Sequence, residues 1–291
     1  MIECVPNFSE GQDAAKIRAI AETIESVPDV LLLGWESDAD HNRSVVTFAG
    51  EPGAVMEAAI RGAGKAAELI DLNRHKGLHP RVGSADVIPF APLDTGTIQE
   101  CVEAAHLAGA EIWRRYGIPI YLYEAAARIA GRRGLERIRR KEFDGGPPDI
   151  GGIAAHPTAG ASMVGARGVL IAYNVHLTTD NGATAKAIAL TIRESSGGFR
   201  FVKAMGLYLP SRGCAQVSMN LTNFAQTDLD RLYETIWREA ARLGTTVASS
   251  QLIGFIPRRA FEMAPEFFRR AENFDESRIL ETRIHQLLQS K

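Results

Sequence analysis

The fold is decided by the stretch Val30-Leu31-Leu32-Leu33-Gly34-Trp35-Glu36-Ser37-Asp38-Ala39-Asp40-His41-Asn42-Arg43-Ser44-Val45-Val46-Thr47-Phe48. Its apolar start, residues 30–33, predicts a buried strand, and the β-branched residues between Ser44 and Phe48 predict a second strand. The polar residues 37–42 are typical of a turn. The stretch therefore predicts two consecutive strands with no helix between them.

Helices and strands are predicted on both sides of this strand pair, because apolar residues recur there at helical spacing or in short runs. The predicted elements are a strand at 2–5, a helix at 12–26, the strand pair, a helix at 52–70, a strand at 85–90, a helix at 98–116 and a strand at 118–123. The first six elements have the order β-α-β-β-α-β, which is that of a ferredoxin-like unit.

The second half of the chain repeats this order. The predicted elements are a strand at 169–175, a helix at 181–194, strands at 201–209 and 215–221, a helix at 229–243, a strand at 246–253 and a closing amphipathic helix at 276–289. The predicted fold class is therefore α/β (α+β), with two ferredoxin-like βαββαβ subdomains. Because ligand sites favour the junction of two modules, we expect a ligand cleft between them.

Between the two halves the composition changes. Residues 124–142 have a helical and strongly basic pattern, whereas residues 143–160 are too rich in Gly and Pro for a regular element. We therefore expect an N-terminal subdomain over residues 1–150, a loop or linker over residues 151–168, and a C-terminal subdomain over residues 169–291.

Composition excludes several protein classes. Hydrophobic residues make up 45% of the 291 residues and charged residues 23%, which is typical of a globular protein. The formal net charge of -2 gives no general attraction to nucleic acid or to anionic lipid. We expect neither a signal peptide nor a membrane-spanning segment, because the N-terminus has no basic region followed by a long apolar run and no apolar run approaches ~20 residues. The three cysteines are far apart, so we expect reduced thiols in a cytoplasmic protein.

The densest polar cluster lies at residues 71–86, before a predicted strand. It contains His75 and His79 together with three cationic side chains, which are Arg74, Lys76 and Arg81. Imidazole exchanges protons near neutral pH, and cations beside it hold carboxylates or stabilise developing negative charge. These residue types predict an acid–base site, with both histidines equally eligible.

Two further segments are candidates. The turn Asp38-Ala39-Asp40-His41-Asn42-Arg43 contains two acids and a histidine, but no second ligand stands at metal-binding spacing, so no metal is expected. The segment Gly151-Gly152-Ile153-Ala154-Ala155-His156-Pro157-Thr158-Ala159-Gly160 has little polar content for a linker, and its permissive backbone is suited to pass close to a flat ligand. Neither a phosphate-binding motif nor a serine nucleophile motif is present.

Longer motifs resemble the glutamate formiminotransferase family. The matching stretches are Cys4-Val5-Pro6-Asn7-Phe8-Ser9-Glu10-Gly11, the residues from Asn42 to Phe48, Arg74-His75-Lys76-Gly77-Leu78-His79-Pro80-Arg81 with the residues up to Phe90, Tyr121-Leu122-Tyr123, Pro148-Asp149, Gly165-Ala166-Arg167, Ala215-Gln216-Val217-Ser218 and Ser250-Gln251-Leu252-Ile253-Gly254. They occur in order over nearly the whole chain. In animals this domain is fused to a cyclodeaminase domain, and this chain resembles the stand-alone form.

The resemblance implies a set of site residues. It places the catalytic histidine of the His-Pro-Arg triplet at His79, with Arg81 beside it, and the folate-binding stretch at Gly151 to Gly160. An acid at the end of the second strand falls on Glu36, with Asp38 as the other candidate. Asn42 and Arg43, which begin a matching motif, are included among the residues expected to bind substrate or folate.

The resemblance also implies an activity and partners. The expected reaction is transfer of a formimino group from N-formimino-L-glutamate to N5 of tetrahydrofolate, a co-substrate, in a homodimeric enzyme of histidine degradation. Three alternatives stay open: 5-formyltetrahydrofolate:glutamate formyl transfer, a non-catalytic folate-binding protein, and an RNA-binding protein. The last lacks the aromatic sheet motif that stacks on bases.

Overall fold

The chain forms two compact units, Met1–Gly168 and Val169–Lys291. The computed structural model describes residues 1–135, 138 and 146–290. Each unit has its own apolar core, formed where helices cover one face of a sheet. Within the described residues, no helix has the length and apolar character needed to cross a membrane.

The first unit follows the predicted order and extends it. Its elements are β1 (Ile2–Cys4), β2 (Asn7–Phe8), α1 (Ala14–Glu25), β3 (Val30–Asp38), β4 (Arg43–Gly50), α2 (Pro52–Leu69), β5 (Ala85–Pro92), α3 (Ile98–Tyr116), β6 (Ile120–Glu124) and β7 (Ser162–Ala166). Both β1 and β2 pair with β4 and β5, so they act as one strand interrupted at Pro6. Proline cannot donate to a ladder, which explains the interruption.

The strand order confirms a ferredoxin-like arrangement in this unit. The interrupted first strand lies between β4 and β5, and β3 pairs antiparallel with β4 at the outside. Beyond β5 the sheet continues with β7 and then β6, both in parallel pairing. The sheet of the described residues therefore contains the βαββαβ core plus two added strands.

Two segments differ from the sequence-based expectation. Residues 162–166, predicted as loop, form β7 between β5 and β6. In the predicted basic helix at 124–142, Glu124 has a φ of 51°, and the chain then turns into a short 3-10 helix at Ala130–Arg132. A positive φ at a non-glycine residue is incompatible with a continuing helix. Later in that prediction, residues 135 and 138 are helical, and residues 136, 137 and 139–142 lie outside the described residues.

Capping residues fix the ends of the helices beside the sheet. The Asp13 side chain accepts hydrogen bonds from the first turn of α1. At α3, Thr97 and Glu100 form a reciprocal capping box, and Gly117 ends the helix with a φ of 66°. These signals explain why α3 has the bounds that its periodicity predicts.

The second unit is the simpler ferredoxin-like sheet. Its elements are β8 (Ile171–Leu177), α4 (Gly182–Ile192), β9 (Val202–Leu209), β10 (Cys214–Leu221), α5 (Leu229–Arg242), β11 (Val247–Ile253), α6 (Arg258–Met263), α7 (Pro265–Arg269) and α8 (Leu280–Gln289). The strand order is β11-β8-β10-β9, with antiparallel pairing throughout. Alternate residues of β8 enter the core, so Asn174 and His176 lie on the opposite face.

Candidate functional site

The histidine loop, which we define as residues 71–84, packs on the hairpin tip, residues 39–42 between β3 and β4. The Leu78 N–H donates to the carbonyl of Asp40 at 3.1 Å. The Asn42 side-chain amide donates to the carbonyl of Lys76 at 2.8 Å. His75 bonds through Nε2 to the Asn42 carbonyl, also at 2.8 Å. Bonds in both directions therefore hold the loop at a fixed position.

Two special backbone positions allow this contact. Asn42 has a φ of 46°, a conformation that asparagine tolerates better than most residues, and its Oδ1 accepts the N–H of Gly11 at 2.8 Å. A Cβ on Gly77 would lie 2.4 Å from the carbonyl oxygen of His41. Any side chain at position 77 would therefore separate the histidine loop from the hairpin tip.

His79 is half-buried, and a backbone contact fixes its ring. Nδ1 lies 2.8 Å from the carbonyl oxygen of Pro80. A carbonyl only accepts, so Nδ1 carries the proton in this contact and Nε2 is the basic nitrogen of the neutral ring. The His41 ring lies 6.0 Å from the His79 ring, between centroids. Its Nε2 is buried and has no hydrogen-bond partner among the described residues.

His75 has a different environment from His79. Its Nε2–H donates to the Asn42 carbonyl, so Nδ1 is unprotonated, and that atom is buried with no hydrogen-bond partner in the described part of the chain. Burial lowers the pKa of His75, and nearby Arg81 and Arg43 act in the same direction. Arg81 donates from Nη2 to the His75 carbonyl at 2.7 Å. These contacts give His75 a structural role.

Arg43 joins three separate segments. Its Nη1 donates to Asp86 Oδ2 at 2.7 Å, and its Nε donates to Asn7 Oδ1 at 3.0 Å. The other oxygen of Asp86 accepts the N–H of Val82 at 2.7 Å. Asp86 is fully buried and the Arg43 side chain is only 10% exposed. This ion pair anchors the end of the histidine loop to β4 and to the first strand.

The predicted folate-binding segment divides into two parts. Its second part, residues 156–160, lies against the histidine loop: Leu72 and Ser84 donate backbone N–H groups to the carbonyls of Thr158 and Ala159 at 2.8 and 2.9 Å. The first part, residues 151–155, is exposed, and Ile153 is 85% exposed. Gly151 packs on Trp113, where a Cβ would lie 2.7 Å from the indole ring. Residues 156–160 and the histidine loop are therefore neighbours in the first unit.

The two candidate acids lie on β3 before the hairpin tip. Glu36 pairs with Val45 of β4, and Asp38 pairs with Arg43. Asp38 Oδ1 accepts the backbone N–H of His41 at 2.8 Å, so this carboxylate orients the hairpin tip. Among the described residues, no group of three or more His, Cys, Asp or Glu side chains is arranged to hold a metal ion.

An open depression of about 820 Å³ lies beside the histidine loop. Its lining includes Glu10 and Lys16 near α1, together with Arg74 and His75 of the loop. Charges of both signs line this depression, which suits a zwitterionic or dipolar ligand better than a purely anionic one.

Family models match both units. The N-terminal subdomain of the formiminotransferase domain matches residues 1–167, and the formiminotransferase domain matches residues 172–289. The chain belongs to the formiminotransferase family. Glutamate formimidoyltransferase of Streptococcus pyogenes serotype M1 is 44% identical over 294 residues, covering 98% of each chain. The protein of that name from Thermoplasma acidophilum is 41% identical over 300 residues, covering 98% of this chain and 97% of that protein.

A longer relative matches as well. Formimidoyltransferase-cyclodeaminase of Gallus gallus is 42% identical over 287 residues, which is 94% of this chain and 53% of that protein. Membership of the formiminotransferase family confirms the resemblance drawn from the sequence motifs, since the matched ranges cover both units.

Sequence reasoning missed three side chains around the histidine loop of this family member. His41, Asp86 and Asn7 are not among the site residues that the sequence predicts. All three lie in matching motifs or directly beside one, which was the available signal. Their contacts with His79 and Arg43 join segments far apart in sequence, so spacing alone could not reveal them.

Proposed function

We propose that this protein transfers a formimino group from N-formimino-L-glutamate to N5 of tetrahydrofolate and releases glutamate. The observation that carries the proposal is the His79 imidazole, held with Nδ1–H toward the Pro80 carbonyl and with Nε2 as its basic nitrogen. It lies in a chain that matches relatives named glutamate formimidoyltransferase over 98% of its length.

The proposed chemistry needs one group that both accepts and returns a proton. N5 of tetrahydrofolate attacks the formimino carbon, and a tetrahedral centre forms. Nε2 of His79 accepts the proton that N5 loses. The bond from the formimino carbon to the glutamate nitrogen then breaks, and Nε2 returns the proton to that leaving nitrogen. The ring ends in its starting state, which is the requirement for general acid–base catalysis.

The roles of the surrounding residues are part of the same proposal. Arg81 fixes a substrate carboxylate or supports the tetrahedral centre, and its bond to the His75 carbonyl sets its position. Glu36 or Asp38 orients His79 or binds the pterin ring. Asn42 and Arg43 shape the site through the contacts described above. The segment Gly151 to Gly160 binds the folate, and its contact with the histidine loop supports this assignment.

Several broader properties rest on the family alone. They are a homodimer, a cytoplasmic location, a role in histidine degradation, and the absence of nucleic-acid and membrane partners. We propose them together with the activity, since full-length relatives share the transferase name.

Steady-state transfer from formiminoglutamate to tetrahydrofolate tests the function directly. His79→Ala should lower kcat by about 10²- to 10⁴-fold, the usual worth of a general acid–base group. The control is His285→Ala, in the exposed part of α8, which should leave kcat unchanged. A wild type without transfer activity refutes the function. A His79→Ala variant that keeps most of its kcat refutes only the assignment of the base.

Two additional measurements separate the alternatives. Turnover with N-formylglutamate, in comparison with formiminoglutamate, identifies the preferred donor. Calorimetric titration of folate into His79→Ala shows whether binding survives when catalysis is lost. A purely folate-binding protein would bind equally well in both forms and would show no transfer in either.

A further inference from the structure

The sheet of the second unit carries polar side chains on the face opposite its core. In the register of the strands, His176 of β8 lies between Gln216 of β10 and Ser249 of β11. His176 is 2% exposed and Gln216 is fully buried. A buried histidine and a buried amide at the centre of a sheet face are costly unless their polar atoms are satisfied.

In this row of side chains, formed by Gln216, His176 and Ser249, one buried polar atom has no hydrogen-bond partner among the described residues. His176 bonds through Nδ1 to Ser249 Oγ and through Nε2 to the Gln216 amide nitrogen, each at 3.0 Å. Gln216 Oε1 is buried and has no hydrogen-bond partner among the described residues. Flipping the Gln216 amide would exchange its oxygen and nitrogen, and the nitrogen would then be the atom without a partner. In either orientation one buried amide atom can bond to a ligand.

Arg212 covers this row from the turn between β9 and β10. Its Nη1 lies 3.2 Å from His176 Nδ1 and 3.3 Å from Nε2. Nearly equal distances to both nitrogens indicate a cation over the ring rather than one in line with a single lone pair. Arg212 also pairs with the carboxylate of Glu272, at 3.5 Å, and both side chains are nearly half exposed. This ion pair is long, so a second carboxylate can replace Glu272.

We propose that Arg212, held over His176, binds a carboxylate of a glutamate moiety, and that the remaining amide atom of Gln216 bonds to a polar group of the same ligand. A guanidinium binds carboxylate with two parallel hydrogen bonds. The proposal rests on the proposed function, in which both formiminoglutamate and tetrahydrofolate carry a glutamate moiety. No residue of this cluster belongs to the site described above.

The first test measures KM for each substrate in Arg212→Ala and Arg212→Lys. Arg212→Ala should raise KM for one substrate about 10- to 100-fold, as expected for loss of hydrogen bonds to a charged group, with kcat changed less than about threefold. Lysine keeps the positive charge but cannot form two parallel hydrogen bonds, so the KM of Arg212→Lys should lie between those of the wild type and Arg212→Ala. The substrate whose KM rises identifies the source of the carboxylate.

Two variants separate ligand binding from a structural role. Glu272→Gln removes the competing carboxylate and should lower KM for the same substrate, which simple loss of an ion pair would not do. Arg242→Ala breaks an exposed pair with Glu239 in the same unit and should change neither KM. Unchanged KM values in Arg212→Ala, or an effect on kcat alone, would overturn the proposal.

Calorimetric titration with L-glutamate makes the test independent of catalysis. The wild type should bind L-glutamate, Arg212→Ala should bind it about 10-fold or more weakly, and Glu272→Gln should bind it more tightly. If the wild type shows no transfer but this pattern is present, the proposed function fails while the carboxylate site stands. Equal affinity in all three proteins would overturn the carboxylate site.

Discussion

The buried pair of Arg43 and Asp86 offers the sharpest test of how the histidine loop is held. Asp86→Asn keeps the size of the side chain and removes its charge. In the wild type, both carboxylate oxygens of Asp86 accept a hydrogen bond, one from Arg43 and one from the Val82 N–H. An amide has only one oxygen, so its NH₂ group would face a donor in either orientation.

The expected cost follows from burial. Asp86 is fully buried and Arg43 is 10% exposed, so water cannot replace the lost partner. Removing one member of a buried pair costs about 3–5 kcal/mol. For a unit the size of Met1–Gly168, each kcal/mol lowers Tm by about 2–4 °C. The first unit of Asp86→Asn should therefore unfold roughly 6–20 °C lower.

Tryptophan fluorescence can follow this unit alone. Of the three tryptophans, Trp35 and Trp113 lie in the first unit, and Trp237, which is 58% exposed, lies in the second. A Trp237→Phe background removes the signal of the second unit. Glu68→Gln, which breaks an exposed pair with Lys65, is the matched control and should shift Tm by less than about 2 °C. An Asp86→Asn shift as small as that of the control would refute the reasoning.

Three other predictions concern the same unit. Gly77→Ala should lower kcat about tenfold or more, because its Cβ displaces the histidine loop, whereas Gly53→Ala, with open space around it, should not; equal kcat values would contradict this. Burial lowers the pKa of His75 in the folded protein, so this imidazole is protonated more readily in the unfolded chain. Lowering the pH below 6.5 therefore favours the unfolded chain. Tm of the wild type should therefore fall more steeply on acidification than that of His75→Gln, and parallel curves would argue against the shift. Burial raises the pKa of Cys4, and that of Cys101 to about 12, so a thiol reagent at pH 8 should modify at most one of three thiols before unfolding; rapid modification of all three would contradict burial.

Much of the fold could be predicted because its signals are local. The helix over 98–116 has a periodic apolar face, a capping box and a terminal glycine, and the structure confirms those bounds. Strand β7 has no such signal. Its sequence, Ser162-Met163-Val164-Gly165-Ala166, is short, contains glycine and follows a segment rich in Gly and Pro. It becomes a strand because β5 and β6, both distant in sequence, pair with its two edges.

The basic pattern over residues 124–142 shows the limit of periodicity. The pattern includes Arg132 in a predicted helix, but the Arg132 guanidinium donates to Asp149 at 2.8 Å and the side chain is only 9% exposed. Seventeen positions separate the two residues. A one-dimensional pattern cannot show which charge will find a distant partner, and a buried pair of this kind overrides the weak preference for helix.

In the candidate site, too, some features follow from the sequence and others appear only in the folded structure. The family resemblance assigned the base to His79, which composition could not distinguish from His75, and that assignment stays a prediction. The structure adds a physical reason for a difference between them. His75 has its Nε2–H bonded and its other nitrogen buried, with its pKa lowered by burial. His79 has its proton held at Nδ1 by a neighbouring carbonyl, with Nε2 left as the base.

A catalytic imidazole on a loop needs both access and a fixed position, and these two demands conflict. For His79, the base in the proposed function, polar anchors hold the loop on either side of the residue. Asn42 holds the loop before His79, and Asp86 holds it after, at Val82. Both anchors are buried, whereas His79 is half-buried. Weakening an anchor should therefore change kcat through the position of the ring, because reaction rate depends steeply on alignment.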